Sequence, residues 1–144
     1  MHLALISIVA LGAASLVGCA TQSSAQHHVG VIGAPERRVV ELPGSIGAGQ
    51  PREVRALVDE PALKLVSIVL RGGTVLPTHH SAVPVTIMAL QGSGAVVVGS
   101  ERLRLDSTHA VVLAAGVPHA VEPDQGTDLA LLVHHLGRGE EHHP

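Results

Sequence analysis

The sequence predicts an all-β domain, an antiparallel double-stranded β-helix or jelly-roll barrel, and three observations carry that prediction. The apolar stretches are short, rich in Val and Leu, and separated by Gly, Pro, Asp and Ser, which is the punctuation of strands and turns. After residue 18 no stretch keeps a helical period. The run Glu101-Arg102-Leu103-Arg104-Leu105-Asp106 alternates polar and apolar residues, as an edge or outer strand does when one face meets a core. Many short strands of this kind, joined by tight turns, suit a jelly roll.

Taken in order, strands are expected over 38–42, which runs into Pro43-Gly44, and over 53–58, which runs into Asp59-Glu60-Pro61. The Val- and Leu-rich segment 63–71 stops at Gly72-Gly73, and 74–78 follows it. Next come 84–90 and 94–98, separated by Gly92-Ser93-Gly94, where positive φ costs little. Gly99-Ser100-Glu101 turns the chain into 102–105, and 110–113, 119–122 and 129–136 complete the series. Pro77 and Pro118 fix φ and withhold a ladder donor, so each marks either a strand entering a barrel mouth or a simple turn.

Composition narrows the chemistry. The formal net charge is −3, residues 1–18 contribute no acidic or basic side chain to it, and no cluster of Lys or Arg overrides it, which argues against nucleic acid as a partner. Phe, Trp and Tyr are all absent. The core must therefore be built from Val, Leu, Ile, Ala and Met88, and no aromatic face is available to stack a planar ligand or hold a cation. No Ser/His/Asp set and no phosphate-cradling glycine loop with its lysine emerges from the spacing.

The amino terminus carries an address. Leu3 to Val17 is apolar but too short for a stable bilayer span, and it ends in Leu16-Val17-Gly18-Cys19. This resembles a bacterial lipobox, although the leader has no Lys or Arg ahead of its apolar part. The resemblance implies cleavage before Cys19, diacylglycerol on its sulfur and an acyl chain such as palmitate on the new amino terminus. Cys19 is the only cysteine, so it has no disulfide partner within the chain. The expected organisation is a signal peptide over 1–18, a lipidated cysteine and flexible tether over 19–36, one barrel domain over 37–138 and a mobile polar tail over 139–144. His27-His28 in the tether is expected to be incidental. Anchoring would place the protein in a bacterial cell envelope. Ala20 is not the aspartate associated with inner-membrane retention in enteric bacteria. With two membranes, the outer one facing the periplasm is favoured; with one, the outer face is expected.

The chemistry-bearing residues are histidines at strand ends. Adjacent residues on a strand face opposite ways, so His79-His80 and His134-His135 are each expected to send one imidazole inward, where it could meet His119. Imidazole is a common ligand for mid-to-late first-row metals, and two or three on rigid strands leave coordination positions open. A half-exposed or hydrogen-bonded histidine is the plainer reading of each, and His109, near a strand start, is read as exposed or structural.

Two motifs then bear a family resemblance. Gly73, His79 and Gly92 fall in register with the first motif of the cupins, Gly116 and His119 with the second, and the resemblance extends over roughly Val39 to Leu136. In strict register Ser81 takes the place of the first motif's second histidine, and His80 does so if the spacing slips by one residue. Val85 stands where that motif has its glutamate; Thr108, Ala114 and Pro123 replace the Gly, Pro and Asn of the second. The resemblance implies one divalent metal (Zn, Fe, Mn, Ni or Cu) at His79 or His80 and His119, and the strand alternation of the last doublet adds His134 or His135, with His135 the choice. It also implies a small-molecule substrate and dioxygenase- or isomerase-like chemistry. Glu122 is a poor replacement for the missing carboxylate, because it and His119 are expected on opposite strand faces. Ser81, Thr78 and Thr86 are expected as neutral donors at the mouth. The degraded first motif supports an alternative, a metal-free ligand-binding or sensory barrel without catalysis. A homodimer paired edge to edge is a further expectation.

Overall fold

The computed structural model describes residues 37–137, all within one compact unit. The expected signal peptide, Cys19, the tether histidines and the polar tail lie outside the described residues. Within them the chain is all-β: β1 (Arg52–Asp59), β2 (Leu63–Leu70), β3 (Leu76–His79), β4 (Val85–Gln91), β5 (Gly94–Val98), β6 (Glu101–Leu105), β7 (Ala110–Leu113), β8 (His119–Pro123) and β9 (Leu129–Leu136). They form two antiparallel sheets, ordered β1-β2-β9-β4-β7 and β3-β8-β5-β6. The long return from β2 to β9 and from β3 to β8 gives the jelly-roll arrangement expected from the sequence.

Period-two alternation decides which side chains fill the space between the sheets. Leu70, Ile87, Val96, Leu105, Val121, Leu129 and Leu131 each show 2% exposure or less. Each such side chain contributes about 1.5–3 kcal/mol relative to an exposed one. Strand β6 lies at an edge of its sheet, with Leu105 buried and Arg102 and Arg104 outside, as its alternating sequence requires. The β4–β5 turn depends on Gly92 at φ 78, where a side chain would also collide with the Asp128 carbonyl oxygen.

Two expectations are corrected. Residues 38–42 form no strand. Val39 is 96% exposed, Arg38 pairs with Glu60, and Gln91 Nε2 donates to the carbonyls of Pro43 and Gly44 at 3.4 and 3.0 Å. This segment is held by side chains, without a ladder. The strand expected over 74–78 begins later, at Leu76, because the Thr74 N–H donates back to the Arg71 carbonyl at 3.0 Å and closes a turn through Gly72 and Gly73. The shift carries His79 onto the ladder.

Candidate functional site

The register of β3 on β8 sets His79 directly opposite His119. Their ring centroids are 4.4 Å apart, with the planes tilted by 54°. Each ring is oriented by the carbonyl two residues before it: His79 Nδ1 bonds Pro77 O at 2.8 Å, and His119 Nδ1 bonds Val117 O at 2.9 Å. A carbonyl only accepts, so Nδ1 carries the proton in both rings. In the neutral form of either ring the lone pair is thereby confined to Nε2. His119 is buried, and its pKa is held below the usual histidine value by burial, with further depression from the neighbouring His79 and His80. Burial thus favours its neutral form, the form able to coordinate a metal.

Both rings line a cavity of about 100 Å³ between the sheets, and His80, His135 and Ser81 line it too. His135 arrives by ladder register, lying opposite Val85 on one side and Lys64 on the other. Among the described residues its Nδ1 is buried without a well-formed hydrogen bond, and burial, followed by the Lys64 charge, lowers its pKa against a weaker raising contact with the Lys64 backbone. An unsatisfied buried nitrogen costs about 1–3 kcal/mol, which a ligand in the cavity could recover. The rest of the wall is aliphatic, including Ile68, Leu76, Ile87, Leu131 and Val133.

The four histidines singled out from sequence as metal ligands, His79, His80, His119 and His135, thus share one cavity. They are not drawn into a closed ligand set: among the described residues no three His, Cys, Asp or Glu side chains form a metal-binding group. His79 and His119 are the close pair, on the four-stranded sheet; His80 follows β3 directly, and His135 comes from the five-stranded sheet. His134 faces the other way, where its Nδ1 lies 2.9 Å from Thr86 Oγ1. Thr86 and Thr78 therefore do not line the cavity, contrary to expectation, whereas Ser81 does. Glu122 points outward to Arg102, and exposed His109 bonds Asp106 at 2.7 Å. The ring proton of His109, then the backbone N–H and the hydroxyl of Thr108, hold the Asp106 carboxyl well below the usual range. Val85, 2% exposed, brings a methyl wall where the resemblance calls for a carboxylate. Among the described residues no carboxylate lines the cavity.

Sequence reasoning missed the carbonyls of Pro77 and Val117, which set the two tautomers. A weak signal was present, since a proline stands beside each: Pro77 is itself the acceptor, and Pro118 follows Val117. Also missed was the bond from Gly116 N–H to the Ser81 carbonyl at 2.7 Å, which ties the loop before β4 to the loop before β8.

No protein-family model and no curated protein matches the sequence. Solved structures do match in fold. An RmlC-like cupin protein from Desulfovibrio desulfuricans is 21% identical, with 68% of this chain and 97% of that one covered and a TM-score of 0.57. An RmlC-like cupin family protein with a double-stranded β-helix fold from Methanocaldococcus jannaschii is 17% identical over 75% and 97% of the two chains, with a TM-score of 0.63. A cupin superfamily protein from Desulfitobacterium hafniense is 14% identical over 73% and 94%, with a TM-score of 0.60. The fold is that of the cupins.

Proposed function

We propose that this chain is a lipid-anchored cupin-fold protein that holds one divalent metal through Nε2 of His79 and His119, assisted by His135 and His80. The observation that carries the reading is the matched pair of Nδ1–H bonds to Pro77 and Val117, which leaves the Nε2 lone pair free in two rings that line one cavity. A backbone acceptor on the distal nitrogen is the usual means of orienting a ligating imidazole. The unpartnered Nδ1 of His135 supports a further ligand. An all-imidazole wall suits Zn, Cu, Fe or Ni better than Mn, which prefers oxygen donors.

A metal bound there would supply Lewis acidity toward a small oxygen-bearing substrate. The protein's own contribution is to fix the imidazoles, exclude bulk water with aliphatic walls and limit ligand size. Dioxygenase- and isomerase-like reactions both remain within this reading. The second reading is a metal-free ligand-binding barrel, favoured by the incomplete ligand set and the aliphatic lining. Metal content separates the two. The full-length protein should retain near-stoichiometric metal and its His119→Ala variant should not. No uptake by either, after incubation with each candidate metal, would leave the metal-free barrel as the reading.

Lipid attachment at Cys19 rests on the Leu16-Val17-Gly18-Cys19 sequence. More than one acyl chain gives stable anchoring, and the domain would face the periplasm from the outer membrane in a two-membrane cell. Expressed with its own leader, the protein should fractionate with membranes and Cys19→Ser should not; equal membrane association of the two would refute the anchor.

A further inference from the structure

We infer that the outer face of the five-stranded sheet carries a second binding site, in which Arg55, Ser67 and Ser45 hold a phosphate group. The site lies back to back with the imidazole cavity across β2 and needs no metal. Val66, Ile68 and Leu70 belong to the core and Ile68 lines that cavity, so by alternation Ser67 and Val69 face out. There they line a pocket of about 170 Å³ together with the β1 side chains Glu53 and Arg55. Arg71 and two residues of the segment before β1, Pro43 and Ser45, complete it. Hydrogen bonds hold that segment in place: Arg71 Nε and Nη1 donate to the Gly47 and Gln50 carbonyls at 2.7 and 2.6 Å, and Gln91 Nε2 donates to those of Pro43 and Gly44.

Ser67 is the polar group that the fold leaves unanswered. It is 4% exposed, it opens on this pocket, and no hydrogen bond to its hydroxyl forms among the described residues. The ladder explains why: its cross-strand neighbours are Leu132 on β9, which has no polar side-chain atom, and Arg55 on β1, which is itself a donor. Among the described residues Arg55 pairs with no carboxylate. The one carboxylate in the wall, Glu53, is engaged by Arg71, whose Nη2 lies 3.2 Å from its Oε2, and that bond is the main cause of its lowered pKa. Two guanidinium groups against one carboxylate leave a net charge of +1, and the groups without partners are donors. An anion rich in acceptor oxygens answers both. A guanidinium can bind two oxygens of a phosphate side by side, and the tetrahedral group still has oxygens for the hydroxyls of Ser67 and Ser45, which the two oxygens of a carboxylate would not supply. About 170 Å³ corresponds to roughly six waters' share of liquid volume, room for a phosphate group and a short substituent lying against Val69 and Pro43.

The test is calorimetric titration of the full-length protein with inorganic phosphate and with glycerol 3-phosphate, at low ionic strength. At least one of them should bind saturably. Arg55→Gln, on an exposed position of an edge strand, and Ser67→Ala, a loss of one hydroxyl, should each fold and weaken that binding by about tenfold or more, the usual scale for a hydrogen bond to a charged group. His119→Ala, altered in the other cavity, should bind phosphate as the parent does. Tighter binding of inorganic phosphate assigns the free ion and tighter binding of glycerol 3-phosphate a monoester, and each supports the site. No saturable binding of either, parent-like binding in Arg55→Gln or in Ser67→Ala, or loss of binding in His119→Ala would overturn the inference.

Discussion

Two backbone carbonyls decide what His79 and His119 can do. By accepting from Nδ1 they fix the tautomer, and the cross-strand register then puts both rings on one cavity. Burial adds a pH dependence. His119 and His135 both have folded pKa values lowered chiefly by desolvation, so between those values and about 6.5 the unfolded chain binds more protons than the folded one. Their contribution to the metal-free protein is therefore fully present above about pH 6.5 and is lost as pH falls through the folded values. Urea midpoints of metal-free protein should drop between about pH 7.5 and about pH 5.5, and the drop should shrink in His135→Gln. An equal drop in parent and variant would show that burial of His135 is not responsible.

At the scale of elements, the strands were legible wherever Gly, Pro or Asp interrupts an apolar run, because those residues act through their own backbone preferences. Strand β9 illustrates how far this reaches into the site. Alternation along Leu129–Leu136 puts Leu131, Val133 and His135 on one face, which is why the doublet reasoning finds His135. It could not separate His79 from His80, because His80 follows the end of β3, where alternation no longer applies, and both line the cavity. Residues 38–42 look like a strand by composition but lack a ladder partner, and pairing is a property of the whole sheet. The β4–β5 turn offers a quantitative check. Gly92→Ala places a side chain at φ 78 and against the Asp128 carbonyl, so stability should fall by about 1–3 kcal/mol or more. An unchanged denaturation midpoint would show that the turn can relax at no cost.

On the scale of the whole molecule, a chain without Phe, Trp or Tyr has built its core from Leu, Ile and Val, and the space left between the sheets is small. The fold is shared with cupins at 14–21% identity, so resemblance supplies the architecture, while the case for a metal rests on this chain's own imidazoles. The most direct test is X-ray absorption at the edge of whichever metal the full-length protein retains. The account predicts a first shell containing at least two imidazole nitrogens, at about 2.0–2.1 Å if the metal is zinc, with imidazole scattering lost or metal released in His79→Ala and His119→Ala. A retained metal whose spectrum shows no imidazole, or is the same in both variants as in the parent, would contradict it.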